Sequence, residues 1–196
     1  MTTATLYIAS TVSSTVTSPA NVIGAPDGTF TADTTKKSWN YRGAFETVGG
    51  TTEPTGTHSF TIRARKSGTG GSDVTIESCV IYDGASSFSI GASTTVSSAT
   101  GQDVTFTLDG TLLTSIDGIE ISVTGSGGGG GPNERGCEID AITWNATYNA
   151  VFGNPMNVYQ SGVWVQGYLK YYNGTAWTGQ VLKRWDGTQW VIESNG

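Results

Sequence analysis

The sequence is poor in charge, and it lacks any long hydrophobic run. Charged residues make up 13% of the 196 residues, and the net charge is -6. A chain of this charge has no basic patch that would neutralise phosphates, so nucleic acid is excluded as a partner. No apolar run approaches the roughly eighteen residues that a membrane-spanning helix needs. We therefore expect no membrane span.

The first residues and the cysteines narrow the expected location of the protein. Residues 1–5 lack the basic and apolar regions of a signal peptide, which predicts synthesis in a cytoplasm without secretion by that route. Cys79 and Cys137 are too far apart for a common metal motif. Buried thiols are the expected state of both residues. A disulfide between neighbouring strands is the alternative.

Residues that carry catalysis are also scarce. The single histidine, His58, stands between Thr57 and Ser59 and is expected to be exposed or to cap a strand. No G-x-S-x-G motif accompanies it, and no Cys/His cluster suggests zinc. The five-glycine tract lacks the Gly-Lys-Ser/Thr of a phosphate loop, and no carboxylate pair stands out as a glycosidase site. The sequence therefore predicts no enzyme and no catalytic residue.

Glycine, serine and threonine are abundant instead, and they favour turns and strands over helices. Several segments alternate polar and apolar residues, which is typical of half-buried antiparallel strands. The clearest are residues 58–65, 104–108, 119–123 and 137–144. About eight such strands, with turn signals every eight to twelve residues, predict an antiparallel β-sandwich. We place this domain at residues 1–148.

Two glycine-containing segments interrupt the strands. Residues 19–28 contain two prolines and two glycines, which predicts a compact loop with one helical turn at residues 19–22. Residues 125–132 contain six glycines and a proline, which predicts a flexible loop tip.

The last forty or so residues repeat with a period of thirteen. Trp164, Trp177 and Trp190 are thirteen residues apart, and each follows an aromatic residue across four intervening residues. Asn-Gly or Asp-Gly between two aromatic runs is a strong β-hairpin signal. We predict a module of hairpins at residues 156–196, joined to the sandwich by a linker at residues 149–155.

The hairpin register stays open at this stage. A four-residue loop pairs each leading aromatic residue with its tryptophan, whereas a two-residue Asn-Gly turn shifts the pairing. The aromatic side chains of the module are candidates for core packing, for contact with another subunit, or for stacking on a carbohydrate. These candidates are Tyr159, Trp164, Tyr172, Trp177, Trp185 and Trp190. Trp39 and Tyr41, on an early strand, are similar candidates for a ligand site on the sandwich.

Short motifs in the chain resemble known families. Residues 21–28 (NVIGAPDG) and 137–144 (CEIDAITW) resemble signatures of galactose-binding-like jelly-roll domains. Residues 60–66 and 116–121 resemble strands of jelly-roll virion proteins from tailed phages that infect actinobacteria. Residues 182–191 (LKRWDGTQWV) are similar to the ends of minor tail proteins of those phages.

This resemblance implies an all-β fold, an antiparallel jelly-roll β-sandwich followed by a small repeated β-hairpin module. It implies a structural virion protein that is made in the host cytoplasm, contacts other virion proteins and forms a homo-oligomer. A minor tail protein and a capsid decoration protein both fit, as does a module that binds host-surface glycans. Some relatives hold a structural calcium ion, for which Asp27 and Glu138 are the candidates here, although no cofactor is predicted.

Overall fold

A computed structural model describes residues 1–32, 38–49, 52–91, 93–129 and 131–150, and the backbone of six strands between 156 and 192. The chain divides into two compact units, Met1–Asn149 and Ala150–Gly196. The predicted linker at residues 149–155 lies almost wholly outside the described residues. No helix in the described ranges is both long enough and apolar enough to cross a membrane.

The first unit is built from strands, as the alternation of the sequence predicts. Its described residues form β1 (Thr2–Ser14), β2 (Ser38–Phe45), β3 (Thr52–Pro54), β4 (Thr57–Lys66), β5 (Val74–Asp83), β6 (Ser86–Ser89), β7 (Thr94–Val96), β8 (Gln102–Asp109), β9 (Ile119–Ser126) and β10 (Cys137–Ala150). Short 3-10 helices lie at Pro19–Val22, Gly110–Leu112 and Gly131–Asn133.

These strands make two sheets that share β1. In sheet A the order is β1, β10, β4, β8, and in sheet B it is β6, β5, β9, β2, β1. The first half of β1 pairs with β10 from Thr2 to Tyr7, and its second half pairs with β2 from Ile8 onward. In addition, β3 pairs with β10 and β7 pairs with β5. The result is the antiparallel jelly-roll β-sandwich that the resemblance implies.

The core lies between the two sheets. Phe60 and Ile62 of sheet A and Ile81 and Ile121 of sheet B are fully buried in one hydrophobic cluster. Because successive side chains of a strand point to opposite faces, the alternate residues carry hydroxyl and charged groups outward.

The predictions for the two glycine-containing segments differ in how they compare with the structure. The helical turn predicted at residues 19–22 is confirmed, with proline at its start and the left-handed Ser18 (φ 56) before it. The predicted flexible tip at residues 125–132 is corrected for its described residues. Gly125 and Ser126 end β9, and Gly128 exchanges backbone hydrogen bonds with Arg135 at 3.0 and 2.8 Å. Gly128 is also packed so closely that a Cβ would lie 1.9 Å from the Asp73 carbonyl oxygen.

The second unit contains three separate two-stranded sheets among its described residues. The hairpins are β11 (Met156–Gln160) with β12 (Val163–Gly167), β13 (Lys170–Tyr172) with β14 (Trp177–Gly179), and β15 (Lys183–Trp185) with β16 (Trp190–Ile192). Their backbone registers pair Tyr159 with Trp164, Tyr172 with Trp177, and Trp185 with Trp190. Of the two registers that the sequence leaves open, the structure has the one that pairs the aromatic residues.

Candidate functional site

Trp39 and Tyr41 do not lie on a binding surface. Their exposed fractions are 1% and 0%, so the prediction that they contact a ligand or partner is corrected. The Trp39 indole N–H donates to the Cys137 carbonyl oxygen at 2.6 Å, and its ring packs on Gly125. On β2 these two residues occupy the alternate positions that face the core.

His58 is also buried, contrary to the expectation of an exposed or capping residue. Its exposed fraction is 0%. Trp144 Nε1 donates to His58 Nδ1 at 3.2 Å, which leaves Nε2 to carry the proton and donate to the Thr147 carbonyl oxygen at 2.7 Å. A neutral imidazole satisfies both contacts. Burial lowers the pKa of His58, since desolvation disfavours the charged ring, and this outweighs the opposing effect of the nearby carbonyl groups.

The lowered pKa of His58 predicts a loss of stability in mild acid. The unfolded chain takes up a proton near pH 6.5 and the folded chain does so only at lower pH, so stabilisation is full above pH 6.5 and is lost as the pH falls through the folded pKa. The free energy of unfolding should fall with a slope of up to about 1.4 kcal/mol per pH unit in that window. Urea unfolding between pH 7.5 and pH 5 measures this slope.

His58→Gln is the control for that experiment, because glutamine offers an acceptor and a donor but does not titrate. His58 is the only histidine in the sequence, so the slope near pH 6 should disappear in this variant. An equal slope in both proteins would show that another group is responsible.

The two cysteines are both buried, and the structure forms no disulfide between them. Of the two states considered from the sequence, buried thiols are confirmed. Burial raises the pKa of Cys79 to about 12, so this thiol is not a nucleophile at neutral pH.

Asp27 organises the early loop, together with Asp140 of β10. The Asp27 carboxylate accepts from the Thr29 backbone N–H at 2.7 Å, which lowers the pKa of Asp27. The carboxylate of Asp140, 1% exposed, accepts from the backbone N–H groups of Asp27 and Gly28 at 3.3 and 3.1 Å. These contacts tie the loop to the outer face of sheet A, and Arg63 Nε lies 3.6 Å from Asp140.

Glu138 forms a second ion pair on the same face. Its side chain is 5% exposed, and its Oε2 accepts from Arg65 Nε at 2.7 Å. The Arg65 guanidinium lies 4.0 Å from the centre of the Phe30 ring, which holds it in a fixed orientation. Unlike Asp140, Glu138 accepts no hydrogen bond from a backbone N–H among the described residues.

An open cleft of about 370 Å³ begins beside this pair. Arg65 and Glu138 line it, and the connection from β4 to β5 contributes Ser67, Gly68 and Thr69. Ala99, from the connection between β7 and β8, also lines the cleft. The residues that line it carry one guanidinium and two hydroxyl groups, together with the nearly buried carboxylate of Glu138.

The predicted calcium candidates do not come together as a metal site. Glu138 is paired with Arg65, and Asp27 is bonded to Thr29. Within the described ranges no group of three or more acidic, histidine or cysteine side chains is arranged to hold a metal ion.

The structure places Arg63, Arg65, Asp140 and Phe30 at the cleft or next to it, and no sequence motif singles these four residues out as a site. A signal was present, since two arginines alternate on β4 and two acids alternate on β10. Only the pairing of β4 with β10, with a bulge between Ile139 and Ala141, shows that these residues face one another.

The six aromatic candidates of the hairpins are placed by their backbone alone. The two members of each pair lie directly opposite one another on the paired strands of their own hairpin. The orientation of their side chains lies outside what the structure describes.

Comparison with known proteins adds a likeness of fold. No protein-family model matches this chain, and no curated protein matches it. The chain is similar to the solved structure "CBM35 from Cellvibrio japonicus Abf62", a carbohydrate-binding module, with 20% identity and a TM-score of 0.41. The match covers 76% of this chain and 97% of that chain.

Proposed function

We propose that the chain is a structural, non-catalytic component of a tailed-phage virion, most simply a minor tail protein that assembles through protein contacts. The resemblance of residues 60–66, 116–121 and 182–191 to such proteins motivates the proposal. The observation that carries it is the set of three separate two-stranded hairpins, each with an aromatic pair across its strands. An isolated two-stranded hairpin is marginal in water, so these hairpins need another surface to cover them.

The hairpin tryptophans should therefore be needed for assembly. Replacing Trp164, Trp177 and Trp190 together by serine is expected to reduce the amount of this protein in purified particles by about tenfold or more, since aromatic residues dominate protein interfaces. Quantitative mass spectrometry of purified particles measures the loss.

Val12→Ser is the control, because it also exchanges a hydrophobic side chain for serine but at a position of the sandwich that is 48% exposed. Particles should contain this variant at the normal level. Normal incorporation of the triple variant would contradict a docking role for the hairpins. A capsid decoration protein would pass the same test, and the position of the chain in images of the particle separates it from a tail protein.

A second candidate function is adhesion to a host-surface glycan. The cleft beside Arg65 and Glu138 favours it, because the half-exposed Arg65 guanidinium and the hydroxyl groups of Ser67 and Thr69 are suited to hydrogen-bond sugar hydroxyls. Binding of the full chain to host cell-wall polysaccharide tests this candidate, and solution mass tests for a homo-oligomer. The two functions are compatible, since a tail protein can also be an adhesin.

A further inference from the structure

The last strand of sheet A, β8, has one long edge without a neighbour among the described strands. It is eight residues long and pairs only with β4. The register runs from Thr57 opposite Asp109 to Ala64 opposite Gln102 without a shift. The strand has no proline, lysine or bulge, which are the usual features that protect an edge from pairing with another chain.

The free backbone groups of this edge can be identified. Gly110 N–H donates to the Gly56 carbonyl oxygen, so the even-numbered residues of β8 are the ones that bond to β4. In an antiparallel pair these groups alternate, and the N–H and C=O of Asp103, Thr105, Thr107 and Asp109 therefore point away from β4. The Asp109 carbonyl oxygen is the exception, since Asp109 is the N-cap of the 3-10 helix Gly110–Leu112 and its C=O accepts the first bond of that helix. None of the other seven groups has a hydrogen bond to a described residue.

The side chains along this edge are also accessible. All four odd-numbered residues are exposed, whereas the even-numbered Val104, Phe106 and Leu108 are buried. The connection between β6 and β7 packs on the Phe106 ring through Gly91, which covers the apolar side of the strand. What remains open is the row of backbone groups.

Asp103 and Asp109 give this edge two negative charges at a defined spacing. They lie six residues apart, and each uses its Oδ1 within the chain, Asp103 toward Arg63 and Asp109 toward Thr111. Neither Oδ2 has a hydrogen bond among the described residues. Pairing of β8 with a second copy about Phe106 would place Asp103 opposite Asp109 of that copy, and like charges directly opposite one another destabilise a sheet. That register of self-pairing is therefore disfavoured, whereas a strand with basic residues opposite Asp103 and Asp109 gains attraction at both positions.

We propose that β8 accepts an extended strand from a neighbouring protein, with basic side chains six residues apart that face Asp103 and Asp109. Backbone hydrogen bonds to the four odd-numbered residues hold the strand, and the charges set its register. The added strand extends sheet A by one. This inference uses the proposed assembly role only for the source of the partner, a neighbouring particle protein.

A synthetic peptide tests the edge on the full chain. The probe has two lysines six positions apart, with alternating threonine and valine between them, and a second peptide has glutamate in place of lysine. Amide hydrogen exchange of Asp103, Thr105, Thr107 and Asp109 should be fast in the free chain and about tenfold slower with the lysine peptide. Slow exchange in the free chain, or no slowing with the lysine peptide, would overturn the proposal.

Thr105→Pro and Thr105→Val separate the backbone from the side chain. Proline removes an N–H that β4 does not use, and valine keeps that N–H while also losing the hydroxyl contact to Thr61. The lysine peptide should bind the proline variant about tenfold more weakly and the valine variant normally. Equal binding of the lysine peptide to both variants would contradict pairing through the backbone of β8.

The charge pattern is tested by Asp103→Lys combined with Asp109→Lys, which should reverse the preference in favour of the glutamate peptide. If Thr105→Pro does not fold, this double variant still tests the proposal. An unchanged preference for the lysine peptide over the glutamate peptide would count against it. The presence of the natural chain in purified particles is measured separately. A chain that is absent from particles but binds the lysine peptide would refute the virion role and keep the inference about β8.

Discussion

Trp144→Ala is expected to lower the free energy of unfolding by about 3 to 5 kcal/mol, as for other large aromatic residues removed from a core. Trp144 is fully buried on β10, stacked on Phe60 with ring centres 5.5 Å apart, and 5.3 Å from the Phe45 ring. Its removal leaves a cavity and also leaves His58 Nδ1 without its donor. Urea unfolding at pH 7.5, followed by circular dichroism, measures the change.

Trp144→Phe is the matched variant for this experiment. It keeps an aromatic ring in the cluster but removes the N–H and the extra ring atoms of the indole, so the expected loss is smaller than for alanine, about 1 to 3 kcal/mol from the unsatisfied buried group. A loss below about 1 kcal/mol in Trp144→Ala would show that the aromatic cluster is not central to the sandwich.

Arg65→Ala is expected to cost about 3 kcal/mol, since it leaves a buried carboxylate without its cation. Glu138 is 5% exposed on the side chain, and Arg65 is the group that pairs with it among the described residues. Arg65 itself is 34% exposed, so the loss should lie at the lower end of the range for broken buried pairs. The contact with Phe30 is lost as well. Thermal and urea unfolding of the full chain both report this change.

The double variant Arg65→Met with Glu138→Leu distinguishes charge from packing. Replacing both partners of a buried pair by apolar residues is often neutral or stabilising, so this variant should recover most of the stability lost in Arg65→Ala. If the double variant is as unstable as the single one, the ion pair is not the cause. The double variant also removes the two charged groups that line the cleft, so it tests the proposed adhesion to a glycan, which should weaken in this variant.

Local features of the fold could be predicted because they depend on near neighbours in the chain. The alternation of β4, β8 and β9 appears in the structure with the apolar side chains inside. The turn at Pro19–Val22 follows from proline at the start of a helix. The paired hairpins follow from a period of thirteen residues with turn residues between the aromatic runs.

The burial of His58 follows from the strand alternation, although an exposed or capping residue was expected. His58 shares the inward face of β4 with Phe60, Ile62 and Ala64, and the alternation alone placed it in the core. A polar residue in that position needs buried partners, which come from Trp144 and Thr147, more than eighty residues later in the chain. Trp39 and Tyr41 follow the same rule, since their positions on β2 alternate with exposed residues.

The sequence by itself determined the strand pattern, the hairpin repeat and the scarcity of catalytic groups, because each of these depends on residue type and short spacing. Only the tertiary structure decided which strands are neighbours. Thr2 pairs with Tyr148, and Arg65 meets Glu138 across β4 and β10. Pairings between distant segments depend on how the two sheets close around one core, and a single-residue bulge such as that at Asp140 changes which side chains meet. For the same reason the ion pair at the cleft and the open edge of β8 emerge only from the folded chain.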